Sequence, residues 1–100
     1  MARFDFVHTK HDGEELIIIP LKRSFGDKSQ EEQVRMIDGF QKRAEAAGVS
    51  GFVVPVWNAA GAGAMVFMAP ERLHPFLRSI DFNWVAANIN KSLQWESAPL

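Results

Sequence analysis

The chain has 100 residues, which is enough for one domain and too few for two. Hydrophobic residues make up 47% of it and charged residues 23%, an ordinary globular composition that argues against disorder over the whole chain. With 11 basic residues, 12 acidic residues and no cysteine, the composition argues against charge-driven binding of nucleic acid and excludes disulfides, zinc–thiolate sites and iron–sulfur clusters.

The distribution of apolar residues predicts a single cytoplasmic domain over residues 1–100. Residues 1–7 carry charges at Arg3 and Asp5 and lack the apolar core of a secretory signal. The longest aliphatic run, residues 16–21, is far shorter than a membrane span. We therefore expect no membrane partner, and we expect residues 97–100 to fray.

The first half of the chain opens with two predicted strands. Residues 3–9 alternate apolar and polar groups, which is the period of a half-buried strand. Residues 15–21 form a β-branched run, which is typical of a strand covered on both faces. Between them, Asp12-Gly13 suits a tight turn with positive φ, since glycine has no Cβ. The pattern predicts a hairpin.

A long amphipathic helix is predicted over residues 30–47. Ser29 and Glu32 have the spacing of a capping box, and Gly48 fits the C-terminal stop. One apolar stripe recurs at steps of three and four residues and comprises Val34, Ile37, Phe40, Ala44 and Ala47. We expect this stripe to face a sheet.

The second half continues with predicted strands at residues 51–57 and 64–69, joined by a loop of small residues at 58–63. The strand before the long helix and the strand after it should be parallel neighbours joined by a crossover. The flanking hairpins then add antiparallel strands. The pattern ββαββ predicts an α+β, two-layer sandwich with a mixed four-stranded sheet and helices on one face.

Two helical segments are predicted at the C-terminal end. A short one lies between Pro70 and Ile80, and a last helix over residues 82–93 takes Asp81 as its cap. At 100° per residue, one stripe of the last helix should face the sheet and comprises Phe82, Val85, Ala86, Ile89 and Leu93. A second stripe on the opposite side comprises Trp84, Asn88, Lys91 and Trp95.

The second stripe motivates the first functional hypothesis, a binding or assembly module without catalysis. Tryptophan is enriched in interface hot spots, so Trp84 and Trp95 would dock a second copy of the chain or another protein. Two structural alternatives stay open. Trp84 folds back over Phe76 or Leu77, or Trp95 lies beyond the end of the helix.

A second hypothesis places a small-molecule site, with or without catalysis, where the two parallel strands end. Pro20 and Pro55 would splay these ends, and ligands often bind outside the carboxyl ends of parallel strands. The residues that follow supply two cations, an aromatic ring and an amide, namely Lys22, Arg23, Trp57 and Asn58. They suit an anionic or aromatic ligand. The alternative is that the prolines only end the strands.

Other candidate sites favour structural roles. The glycine-rich loop at residues 58–63 lacks the following helix of a phosphate-binding loop, so we expect a hairpin connection. His8, His11 and His74 show no fixed metal spacing, so we expect neither a metal nor a cofactor. No serine lies in a GxSxG elbow, and the carboxylates cluster as solvated neighbours. Nothing in the sequence requires an enzyme.

Overall fold

The computed structural model describes residues 2–58 and 65–95 as an α+β domain with one mixed sheet. The strands are β1 (Ala2–His11), β2 (Glu14–Pro20), β3 (Phe52–Asn58), β4 (Met65–Phe67) and β5 (Lys91–Trp95). The helices are α1 (Gln30–Ala46), α2 (His74–Arg78) and α3 (Phe82–Ala87), with 3-10 turns at Arg23–Asp27 and Glu71–Leu73. The strand order is β4–β3–β2–β1–β5, so the α+β class is confirmed with five strands instead of four.

The predicted hairpin of β1 and β2 is confirmed. His11 lies opposite Glu14, which leaves Asp12 and Gly13 as a two-residue turn. Their φ angles are 50° and 79°, and two positive φ values fit the turn that matches the twist of paired strands. At the same end of the sheet, Arg72 donates two hydrogen bonds to the Glu14 carboxylate and holds the pKa of that group below its usual value.

The long helix and the parallel crossover are also confirmed. Glu32 N–H donates to Ser29 Oγ (3.2 Å), so the predicted N-cap is formed. Gly48 follows the helix with a φ of 76°, as expected for the left-handed stop. β2 and β3 pair in parallel with Ile17 opposite Val53, which places the carboxyl ends of both strands at one end of the sheet.

The helices are divided between the two faces of the sheet, whereas the sequence led us to expect them on one. On the α1 face, the buried core comprises Phe4, Phe6, Ile17, Ile19, Val53 and Ala44. On the opposite face, covered by α2 and α3, it comprises Val7, Leu16, Ile18, Val54, Val56, Leu73, Leu77 and Val85. β2 contributes to both cores because successive side chains point to opposite faces, as its continuous apolar run predicts.

The last predicted helix begins as expected and ends early. Asp81 is its N-cap, since Trp84 N–H donates to Asp81 Oδ1 (2.7 Å). Asn88 ends it, and the Asn88 side-chain amide donates to the Trp84 carbonyl (2.7 Å). The prediction of a helix over residues 82–93 is therefore wrong beyond residue 87.

The residues after α3 form β5, which pairs antiparallel with β1 and puts Leu93 opposite Phe4. Asn90 begins the pairing. Its main-chain N–H donates to the Phe6 carbonyl (3.2 Å), and its side-chain amide bonds both main-chain groups of His8 (2.8 and 3.0 Å). Leu93 packs against the α1-face core. Main-chain groups of β1 need partners along this edge, and that requirement outweighs the helical spacing of the side chains.

Two predictions fall on residues that the structure does not describe. The glycine-rich loop lies outside the described residues from residue 59 onward, and so does the expected fraying of residues 97–100. The strand predicted after the loop is present as β4, which pairs with the end of β3.

A side chain of α1 completes the free edge of β3. β4 pairs only with Val56, Trp57 and Asn58, so the first half of β3 has no strand on that side within the described residues. There, Val53 N–H donates to Gln41 Oε1 (3.1 Å), and Gln41 Nε2 donates to the Gly51 carbonyl (2.9 Å). The amide thus replaces a strand partner and fixes α1 to the sheet.

Replacing this amide should destabilise the domain. Gln41→Ala leaves one main-chain donor and one acceptor without their partner, so we expect the free energy of unfolding to fall by about 1–3 kcal/mol. Urea unfolding measures the change. Gln30→Ala is the matched control, because Gln30 is an exposed first residue of the same helix. Equal values for the two variants would show that water serves the β3 edge as well as Gln41 does.

Candidate functional site

The residues predicted to form a ligand site do not converge as a group. Trp57 is only 7% exposed and packs on Phe25, with ring centroids 5.0 Å apart. Asn58 is half-buried, and no hydrogen-bond partner of its Oδ1 lies among the described residues. Arg23 is exposed on the 3-10 turn. Of the four residues, Lys22 alone borders the cavity that the structure shows beside the end of β2.

That cavity, the strand-end cavity, has a volume of about 490 Å³ and lies between β1, β2, the first 3-10 turn and the middle of α1. Its apolar floor comprises Phe4, Phe25, Met36 and Phe40. Its polar rim comprises Asp5, Lys22, Ser24 and Lys28. A cavity of this size, with an apolar floor and a few polar groups on one side, has the form of a small-molecule site.

The floor is aromatic because three separate elements each contribute a ring. Phe4 of β1 and Phe40 of α1 meet edge to face, with centroids 5.0 Å apart at 60°. Phe25 comes from the 3-10 turn and is 2% exposed. Met36 precedes Phe40 by one helical turn, so it lies on the same side of α1. An apolar group in the cavity would therefore contact aromatic rings and a thioether.

The turn that carries the rim is fixed through the Phe25 main chain. Phe25 N–H donates to the Lys22 carbonyl (2.9 Å), and Lys28 N–H donates to the Phe25 carbonyl (3.2 Å). Gln33 of α1 donates its side-chain N–H to the same carbonyl (2.9 Å). The backbones of both lysines are thereby held on one side of the cavity, although their side chains are exposed.

The electrostatics of this side favour an anion. Neither Lys22 nor Lys28 forms an ion pair with the described residues. The 17-residue helix α1 begins two residues after Lys28, but Glu31 and Glu32 in its first turn offset the positive potential of the helix start, so the lysines supply the positive charge of the rim. Asp5 of β1 is the acidic residue of the lining. The strand-end cavity therefore offers an apolar floor with cationic groups along one rim.

The four residues of the predicted docking face do not share one helix. Trp84 is half-buried and packs edge to face with Phe76 (6.4 Å), so the alternative in which it folds back over Phe76 describes its contact. Asn88 is the exposed C-cap of α3. Lys91 and Trp95 lie on β5, where Lys91 is exposed. The helical spacing that motivated this site was wrong.

The histidines have structural contacts. His8 Nε2 lies 2.7 Å from the Ser50 carbonyl, and His74 Nε2 lies 3.0 Å from the Ala69 carbonyl. His11 stacks on Phe76 at 4.3 Å. In the described residues, no group of three or more histidine, aspartate or glutamate side chains is placed to hold a metal ion. None of the helices described is both long and apolar enough to cross a bilayer.

Comparison with known proteins adds no family to this picture, since no family model, curated protein or solved structure matches the chain. The floor residues were missed as site residues because their spacing indicates core. Phe4 follows the alternation of a strand, and Phe40 follows the stripe of α1. The one usable signal was Met36, an apolar residue outside that stripe.

The 3-10 turn beside the cavity should be sensitive to added volume at Gly26. An alanine Cβ there would lie 2.6 Å from Trp57 Nε1, and the buried ring has little room to move. We expect Gly26→Ala to lower the free energy of unfolding by about 1–3 kcal/mol through overpacking. Gly39→Ala is the control, since its Cβ would meet only Arg43 Nη1 at 3.9 Å. That variant should gain up to about 1 kcal/mol in helix propensity.

Urea unfolding of both glycine variants measures these changes. A Gly26→Ala protein as stable as the wild type would show that the 3-10 turn is not held against Trp57.

Proposed function

We propose that the protein is a small-molecule-binding domain that holds a small apolar acid in the strand-end cavity. The observation that carries the proposal is the pairing of an aromatic floor with two lysines that have no ion-pair partner among the described residues. The volume of about 490 Å³ falls within the range of ligand sites in proteins.

The apolar floor would supply most of the binding free energy. The lysines would make the cavity prefer acids to neutral molecules and cations. Each exposed ion pair contributes only about 0.2–1 kcal/mol, because water screens it. Burial of apolar surface contributes about 25 cal/mol per Å², so the body of the ligand dominates. A neutral molecule of the same shape would bind several-fold more weakly, and a cation would bind more weakly still.

The arrangement supports binding and gives no reason to propose catalysis. Among the described residues that line the cavity there is no histidine, and Asp5 has no second carboxylate beside it. A hydroxyl at Ser24 lies on the exposed turn, without a histidine in the lining to activate it.

The proposal predicts that octanoate binds and that the two lysines strengthen its binding. We expect isothermal titration calorimetry to give a Kd at or below about 1 mM for this small ligand. Lys22→Gln combined with Lys28→Gln should raise the Kd between about twofold and 30-fold, from two exposed ion pairs.

The matched control combines Lys10→Gln with Arg78→Gln, which removes the same charge from exposed positions outside the cavity. Absence of octanoate binding would refute the proposal. An equal loss of affinity in the control pair would show that net charge alone attracts the ligand.

Self-association stays a second candidate, and the position of β5 favours it over the helical face. β5 pairs with β1 on one side, and no described strand covers its other side. The main-chain groups of an edge strand can pair with a strand of another chain. Such pairing would involve the segment that holds Lys91 and Trp95.

Pairing through β5 predicts a mass that increases with concentration in sedimentation. Amide hydrogen exchange over residues 91–95 should slow at the higher concentration, because new ladder hydrogen bonds protect these groups. Exchange in α1 serves as the internal control and should not change. A strictly monomeric protein, or protection elsewhere than β5, would remove this candidate.

A further inference from the structure

Two side chains of α1 form the open part of the floor of the strand-end cavity. Phe4 and Phe25 also line the cavity but are nearly covered, at 8% and 2% exposed, whereas Met36 and Phe40 are half-buried. Met36 and Phe40 are one helical turn apart, so they lie side by side on α1. On the floor, a ligand would therefore contact mainly the Phe40 ring and the Met36 thioether.

The Phe40 ring is held in position by its neighbours. It meets Phe4 edge to face at 5.0 Å, within the favourable range for aromatic pairs. Phe4 is itself fixed in β1, where it pairs with Leu93 of β5. The next residue of α1, Gln41, is bonded to both main-chain groups at the free edge of β3. Little ordering of Phe40 is therefore needed when a ligand binds.

A floor of this kind attracts an aromatic ring more than a saturated one. Aromatic rings attract each other through the positive edge of one and the negative face of the other, and a thioether sulfur makes favourable contacts with ring edges. A saturated ring or an alkyl chain gains only from the burial of its surface. The aliphatic part of the lining does not distinguish the two kinds of ligand and comprises Pro20, Leu21 and Ile89.

From these features we infer that the ligand is an aryl-substituted carboxylic acid. Its ring lies against Phe40 and Met36, and its carboxylate lies near Lys22 and Lys28. This inference rests on the function proposed above and names the class of acid that the cavity takes. A ring also has fewer rotatable bonds than an alkyl chain of the same size, so it loses less conformational freedom on binding.

The experiment compares 3-phenylpropanoate with 3-cyclohexylpropanoate by isothermal titration calorimetry. The two acids share the carboxylate, the linker and a six-membered ring, but the saturated ring has the larger apolar surface. Burial alone therefore favours the cyclohexyl acid. The aromatic and thioether contacts outweigh this difference, so we expect the phenyl acid to bind about two- to tenfold more tightly to the wild type.

Three variants test whether the floor sets this preference. Phe40→Leu removes the ring and keeps an apolar side chain, so the preference should reverse in favour of the cyclohexyl acid. Phe52→Leu is the matched control and should retain the wild-type ratio, because Phe52 is 39% exposed and lies outside the cavity. Since Phe40 also packs on Phe4, Met36→Leu provides a second floor variant of similar volume and should lower the ratio. Urea unfolding verifies that each variant is folded.

The Met36 methyl group reports where the ring lies. In protein labelled with carbon-13 at the methionine methyl groups, the Met36 signal is the one that disappears in Met36→Leu. The ring current of the phenyl acid should shift this signal further than the cyclohexyl acid does. Met65 and Met68 lie outside the cavity lining, so their signals serve as internal controls and should not differ between the two acids.

The outcomes separate this inference from the proposed function. Octanoate binding, together with a phenyl acid that binds no better than the cyclohexyl acid, would overturn the inference and leave the proposed function standing. No binding of any acid would overturn both. A preference for the phenyl acid that persists undiminished in Phe40→Leu and Met36→Leu, or that occurs without the additional shift at Met36, would also overturn the inference, because the ring would then lie elsewhere.

Discussion

The rest of the structure depends on the burial of β2 from both sides. Its four central residues, from Leu16 to Ile19, are each 1% exposed or less. Successive side chains of a strand point to opposite faces, so a continuous apolar run needs a cover on each face of the sheet. α1 provides one cover, and α2 and α3 provide the other. β3 is the parallel neighbour of β2, because the crossover through α1 returns the chain to the adjacent position in the sheet.

A chain this short completes its sheet with side chains as well as strands. Two amide groups act as short strand partners where the ladders stop. Gln41 serves the free edge of β3, and Asn90 serves the edge of β1 before β5 begins. Each amide presents one donor and one acceptor, the same pair that a strand residue offers. Buried main-chain groups are costly without partners, so these two side chains define where strands can end.

The sequence predicted those elements whose signals are local. The Asp12-Gly13 turn and the Ser29 cap depend on neighbouring residues, and both are present. Of the predicted α1 stripe, Ile37, Phe40 and Ala44 pack on the sheet, whereas Val34 and Ala47 at its ends are exposed. The segment after residue 87 has a helical spacing of apolar groups, yet it pairs with β1. That choice depends on the unfilled edge of a strand more than 80 residues earlier, as the Asn90–His8 contact shows. No window of the local sequence contains this information.

The candidate site was predictable only in part, for a related reason. Lys22 was found because polar residues that follow a strand are exposed at its end. Trp57 was predicted to line the site because the sequence does not show that Phe25 would cover it. The floor residues Phe4 and Phe40 were predicted as core, which is correct for most of their surface. A cavity forms where packed elements do not fit closely together. The spacing of residues along the sequence does not show where this happens.

The contact between Phe25 and Trp57 also accounts for the position of the strand-end cavity. Phe25 packs on Trp57 of β3, and Gln33 ties the first half of α1 to the Phe25 carbonyl. The start of α1 is therefore held toward Trp57, while Met36 and Phe40 lie further along the helix, where Phe40 packs on Phe4 of β1. The space between these side chains and Phe4 is the strand-end cavity. Apolar surface left open in this way stabilises the domain only when something covers it, which is the physical reason for proposing a ligand with an apolar body.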